Sequence, residues 1–181
     1  MRPYNPPPHV SHDILYQDDS YIVLNKPAGL LSVPGRLPEN KDSLASRVQQ
    51  TLPEARIVHR LDMDTSGIIA LALTAEAHRH LSKQFEQKTT KKTYVALIYG
   101  APEHKAGCVD LPLRCDWPNR PLQMVDHELG KSAQTDYEII SQQENICRVL
   151  LHPITGRSHQ LRVHMKELGT PIIGDPFYAT E

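Results

Sequence analysis

Residues 59–67, His59-Arg60-Leu61-Asp62-Met63-Asp64-Thr65-Ser66-Gly67, set an imidazole, a guanidinium, two carboxylates and two hydroxyls within nine positions. Polar groups this dense do not build a core. They suit a loop that presents side chains for acid, base or nucleophilic chemistry and is held still by neighbouring regular structure. The run that follows, Ile68-Ile69-Ala70-Leu71-Ala72-Leu73, is continuously apolar and predicts a buried strand that would hold that loop. Asp62 and Asp64 are two apart, so an extended backbone points both to one side. Arg60, two positions before Asp62, could keep it ionised. A polar surface turn accounts for the composition equally well, with Asp64, Thr65 and Ser66 bonding their own backbone and Gly67 at positive φ.

A second polar cluster is Thr155-Gly156-Arg157-Ser158-His159-Gln160-Leu161-Arg162-Val163-His164. The Thr-Gly turn leads to Ser158 as a predicted helix cap, and Leu161, Met165 and Leu168 form an apolar stripe ending at Gly169. A capped helix start beside Arg157 is a natural phosphate site. His152, His159 and His164 match no metal-ligand spacing, so no metal is expected. The formal net charge of −1 argues mildly against a nucleic-acid partner. Charge is local, however: the stretch 78–92 holds Arg79, Lys83, Lys88, Lys91 and Lys92 with a single Glu86, and the stretch 157–166 holds Arg157, Arg162 and Lys166 with His159 and His164 and no acid. Two basic stretches on a near-neutral chain suit a localised binding face, although each alone is more often a solvated helix face.

These clusters need a scaffold, and 181 residues, 39% of them hydrophobic, allow one domain or one domain with two lobes. No apolar run approaches a membrane span, and the start has no signal-peptide core. Cys108, Cys115 and Cys147 have neither metal nor redox spacing, which fits reduced thiols in a cytoplasmic protein. Residues 1–12 are proline-rich and predict an irregular arm packed loosely on a body of residues 13–181. Ile14–Tyr16 and Tyr21–Lys26 predict a hairpin about Asp18-Asp19, closed by Lys26-Pro27-Ala28-Gly29. Asp42 or Ser43 caps a predicted helix through about Leu52, and Thr74 caps a second with Ala77, Leu81 and Phe85 on one face. Thr93–Tyr99 reads as a strand, residues 101–130 as loop-rich, and residues 134–140 with 146–151 as a second hairpin. Trp117, beside Arg114 and Arg120, either stacks on a nucleotide or pins a long loop to the body, the second being slightly favoured.

The string His59-Arg60-Leu61-Asp62, followed by two residues and Thr65-Ser66-Gly67, resembles the signature of the RluA family of RNA pseudouridine synthases. Lys26-Pro27-Ala28-Gly29 resembles the family's Lys-Pro-x-Gly segment near the catalytic cleft. Residues 155–162 resemble its Thr-Gly-Arg-x-His-Gln-Leu-Arg segment, and residues 169–175 resemble a further one. The resemblance covers about Ile14 to Tyr178. It implies an α+β fold: a mixed, largely antiparallel sheet with flanking helices and a central catalytic cleft. It also implies a further C-terminal segment, with a Leu-His-Ala element and closing strands. The chain reaches Glu181 without it, so a C-terminally truncated domain with an open sheet edge is expected. An S4-type N-terminal domain found in many relatives is not expected.

The resemblance implies that Asp62 is the catalytic residue, that Arg162 pairs with its carboxylate, and that Tyr94 stacks on the target base. From the residues alone a core tyrosine is the commoner reading of Tyr94. Pseudouridylation cleaves the N-glycosidic bond of a uridine in RNA, turns the base and rejoins it through C5. No redox change is involved, so no cofactor is implied. The bond is inaccessible in a stacked nucleotide, so the base must be flipped out. Asp62 would attack C1′ or remove a ribose proton. Burial under a base disfavours an anion and a facing guanidinium opposes that, which Lys imitates poorly. Arg60, Lys26, Lys91, Lys92, Arg157, Trp117 and Arg120 are the expected RNA-binding residues, with His59 beside them or orienting the loop. Large-subunit rRNA, a tRNA anticodon stem-loop, or both are the implied substrates, bound by a monomer. Two readings compete: an RNA-binding module without catalysis, and a hydrolase using Asp62 and Asp64 as a carboxylate pair.

Overall fold

The structure, a computed structural model, describes residues 3–8 and 13–179. The chain divides into two compact units, Met1–Thr89 and Thr90–Glu181. Every pairing between named strands is antiparallel.

In the first unit, β1 (Ile14–Gln17) and β2 (Tyr21–Lys26) form the expected hairpin. Its turn is closed by Asp18 Oδ1, which accepts from the backbone N–H of Ser20 and Tyr21. With β3 (Arg56–Ile57) and β4 (Gly67–Ala72) they make a four-stranded sheet in the order β1-β2-β4-β3. Ile22 lies opposite Leu71 and Leu24 opposite Ile69, and all four are fully buried, so one face of β2 and β4 is the core of this unit. The apolar run 68–73 is less uniform than its sequence suggests: Ile68 is 67% exposed, because alternation along β4 turns it outward.

Helix α1 (Leu44–Val48) is capped by Ser43, whose hydroxyl accepts from Ser46 N while Ser46 Oγ accepts from Ser43 N. It is shorter than expected, continuing only as turns to Leu52. Asp42, the alternative cap, instead pairs with Arg47. Helix α2 (Ala75–Glu86) starts as read, with Thr74 Oγ1 accepting from Ala77 N, and packs on β4. The described part of the N-terminal arm is tied down rather than loose. Tyr4 Oη donates to Asp42 O and accepts from Leu31 N, and Arg47 Nη2 donates to Pro7 O. Residues 1–2 and 9–12 of the arm lie outside the described residues.

The second unit is built on β5 (Tyr94–Tyr99), β6 (Ala106–Asp110), β9 (Gln134–Gln143) and β10 (Ile146–Pro153), in the order β5-β10-β9-β6. Ile98, Val149, Leu151 and Cys147 face its core with Met165 from α3 (Gln160–Glu167). Residues 101–130 hold more structure than expected: β6 and a hairpin of β7 (Leu113–Cys115) and β8 (Gln123–Val125). That hairpin's strands are three residues each, too short to show a period against their prolines and polar neighbours. No helix among the described residues is long and apolar enough to cross a membrane.

Candidate active site

Asp62 sits half-buried in the loop between β3 and β4, and the residues on either side of it are fixed. On one side, Ser32 Oγ donates to Leu61 O at 2.6 Å and accepts from Leu61 N at 3.1 Å, both bonds buried. On the other, Met63 O accepts from Lys26 Nζ at 3.0 Å and from Gly29 N at 2.9 Å. Asp62 O closes the turn by accepting from Thr65 N at 3.1 Å. Gly67, at φ +120°, joins the loop to β4 in a conformation that an L side chain resists.

The structure corrects the expectation that Lys26 binds RNA. Its side chain is fully buried, and its ammonium spends three hydrogen bonds on backbone carbonyls: Leu30 at 2.7 Å, Pro27 at 2.9 Å and Met63 at 3.0 Å. An ammonium has three donors. Burial pushes its pKa down to about 8, against the pull of the Asp64 and Asp62 carboxylates. Lys26 is therefore a cationic peg under the Asp62 loop. His59 Nε2 accepts from Ala70 N on β4 at 3.0 Å, and its ring stacks on Phe85 of α2 at 4.5 Å. An accepting Nε2 makes the ring neutral in this geometry. Arg60, next to it, is exposed.

In the second unit, Tyr94 opens β5, half-buried against the core cluster and opposite Leu151 on β10. Arg162, on α3, is gripped by Asp175, to which its Nε donates at 2.6 Å and its Nη2 at 2.8 Å. The guanidinium carbon also lies 5.2 Å from the ring centroids of both Phe177 and Tyr178. Burial raises the pKa of Asp175, but the Arg162 donors and the Phe177 and Tyr178 N–H groups outweigh it and hold the carboxyl below its usual range.

Ser158 does not cap α3. The residue before the helix is His159, in the left-handed conformation at φ 52°, and no side chain caps the helix there. Gln160 organises the turn instead. Its Oε1 accepts from Thr155 Oγ1 and Arg157 N, and its Nε2 donates to Gln134 O and Thr135 Oγ1, which is every bond an amide side chain ordinarily makes. The helix start thus lacks the side-chain cap of the expected phosphate site. Lys92 Nζ donates to Thr155 O and Arg157 Nε to Ser132 O, so both cations lie against this turn, with Arg157 exposed and Lys92 half-buried. Lys91 is exposed. Trp117 does not pin its loop: it is 62% exposed, with Arg120 stacked 4.7 Å over its ring. Among the described residues no group of three or more His, Cys, Asp or Glu side chains could hold a metal, and all three cysteines are free.

The family model described as RNA pseudouridylate synthase matches residues 20–167. The chain belongs to that family. It is 59% identical, over 99% of its own length and 83% of the relative's, to the dual-specificity RNA pseudouridine synthase RluA of Escherichia coli (strain K12). To the protein of that name from Vibrio parahaemolyticus it is 52% identical, over 100% of its length and 74% of the relative's. Among solved structures it resembles human RNA pseudouridylate synthase domain containing 1, with a TM-score of 0.79 at 27% identity over 96% of this chain and 73% of that one. Human RNA pseudouridylate synthase domain containing 4 follows at 0.74 and 28%, over 92% and 68%. This pseudouridine synthase is thus an isomerase acting on RNA. Sequence reading missed Ser32 and Asp175 as the side chains that hold Leu61 and Arg162. Ser32 carries no local signal, whereas Asp175 closes the segment 169–175 whose likeness to the family is visible in the sequence.

Proposed function

We propose that Asp62 performs the isomerisation, attacking C1′ of the target uridine or removing a ribose proton, with Arg162 facing its carboxylate and Tyr94 stacked on the flipped base. The C1′–N1 bond breaks and the C1′–C5 bond forms. The C5 proton leaves, and N1 regains one. The observation that carries this reading is the double anchoring of Leu61 and Met63, which holds the intervening Asp62 backbone as chemistry at a fixed distance requires.

Arg60, Lys91, Lys92 and Arg157 would contact phosphates, and Trp117 with Arg120 would stack on an unpaired base. The substrates we propose are large-subunit rRNA and a tRNA anticodon stem-loop. The dual specificity named for the relatives supports two RNA classes. Catalysis would reside in residues 13–181, working as a cytoplasmic monomer without metal.

Tritium at uridine C5 of a tRNA or rRNA stem-loop is released to water when the C1′–C5 bond forms. The wild-type chain should release it, and Asp62→Asn should release none while still binding the RNA. Substantial release by that variant would remove Asp62 from the chemistry. Turnover of only one of the two RNAs would remove the dual substrate.

A further inference from the structure

Arg162 is held more tightly than a charge pair requires. Asp175, whose side chain is 3% exposed, takes Nε and Nη2 together, which fixes the guanidinium's plane as well as its position. The same carboxylate accepts from Phe177 N at 2.9 Å and Tyr178 N at 3.2 Å through Oδ1. It thereby shapes the turn that lays both aromatic rings against Arg162. Tyr178 is locked in turn, its Oη accepting from Gln123 N at 2.8 Å and bonded to His159 Nδ1 at 2.7 Å. A buried ion pair is weak evidence for stability, since desolvation of the two charges offsets much of their attraction. A hold on one cation by a carboxylate and two rings fits orientation better.

We propose that Asp175 is a positioning residue, acting on the uridine only through Arg162, whose guanidinium it holds in one rotation. This rests on the assignment of Arg162 as the partner of Asp62.

Asp175→Asn separates the two roles of the carboxylate. An asparagine Oδ1 still accepts the Phe177 and Tyr178 N–H groups, whereas Nδ2 meets Arg162 Nε donor to donor. The melting temperature should fall, because a buried guanidinium loses its charge partner; well below that transition RNA affinity should stay near wild type, and single-turnover tritium release should fall about 10²-fold, the scale of a misplaced catalytic group. In an Arg162→Lys background, followed over long incubations with enzyme in excess, the same substitution should cost no more than about twofold, because its route of action is already gone. Equal losses in both backgrounds would mean a structural role and overturn the proposal, as would an unchanged rate in Asp175→Asn alone. A measurement independent of turnover and of the variant's folding is the Arg162 Nε–H resonance of the wild-type chain, identified by its absence in Arg162→Lys. It should exchange slowly with water; rapid exchange would overturn the proposal. Near-normal turnover by Arg162→Lys, or no release by the wild type, would instead strike the underlying assignment.

Discussion

Ser32 and Leu61 are joined twice: one hydroxyl accepts from the Leu61 N–H and donates to the Leu61 carbonyl, 29 residues along the chain. One buried oxygen thus fixes both polar groups of the residue that precedes Asp62. Ser32→Ala should leave a buried donor and acceptor without partners, at about 1–3 kcal/mol for each. For a chain of this size that is a fall of several degrees in melting temperature, about 2–4 °C per kcal/mol. Tritium release should fall further than RNA affinity, because the loop that loosens carries Asp62. Thermal melting with single-turnover kinetics checks this; equal losses of rate and affinity would speak against it.

Lys26 should make activity and stability move in opposite directions with pH. Its pKa is about 8 in the fold, against 10.5 for an ordinary lysine. Between these values the unfolded chain holds the proton and the folded chain does not, so stability rises as pH increases from 8 to 10.5. The full effect is on the order of 3 kcal/mol. Lys26→Met should lose that slope in denaturant titrations across the same range. Turnover should decline above pH 8 in the wild type, because a neutral amine has two N–H groups for three carbonyls and no longer attracts Asp64 and Asp62. A wild-type stability curve parallel to that of Lys26→Met would show that Lys26 does not titrate there.

These two pegs explain what the sequence could and could not disclose. The string from His59 to Gly67 is legible because its chemistry is local, and β2, β4, β5 and α2 are legible because their apolar residues keep a period of two or a capped helical stripe. Lys26 was misread because its carbonyl partner Met63 lies 37 residues away, so a lysine at the end of a strand looked like a surface charge. Ser32 was invisible for the same reason. Ser158 is not the cap because the helix starts one residue later, after His159, and Gln160, two residues past Ser158, holds the turn by accepting from Arg157 N. Trp117 looked like a pin for its loop, but the ring is exposed and lies under Arg120 of the same loop.

His164 should make the second unit sensitive to acid. It is fully buried on α3, with Nε2 donating to Leu111 O and Nδ1 accepting from Thr135 Oγ1. Burial holds its pKa below the ordinary histidine value, and the Leu111 carbonyl with the Asp110 and Glu167 carboxylates opposes this only in part. The unfolded chain therefore takes up a proton at a higher pH than the folded chain. The stability that neutral His164 supplies is complete above about pH 6.5 and is lost as pH falls below it. A second proton would also remove the acceptor that Thr135 uses. His164→Asn should be less stable than wild type at pH 7.5 and should lose less on going to pH 5. Identical pH dependence in the two proteins, measured by urea unfolding, would exclude His164 as the acid-sensitive group.

Trp117 and Arg120 present a stacked pair to solvent on the loop between β7 and β8, and their burial gives the fold little. Trp117→Ala should therefore leave the melting temperature within about 1 °C, as expected of an exposed site. If the ring stacks on an RNA base, the same substitution removes about 1–3 kcal/mol of binding, or roughly 5- to 150-fold in affinity. Saturated single-turnover release should be unchanged, since the chemistry proposed for Asp62 does not need the ring. Arg120→Ala should weaken binding less and also flatten its salt dependence by about one unit of slope, because it removes a cation as well as a stacking surface. Filter binding at several salt concentrations distinguishes the two effects. A loss of rate at saturating RNA would show that the loop serves the chemistry rather than the capture of RNA.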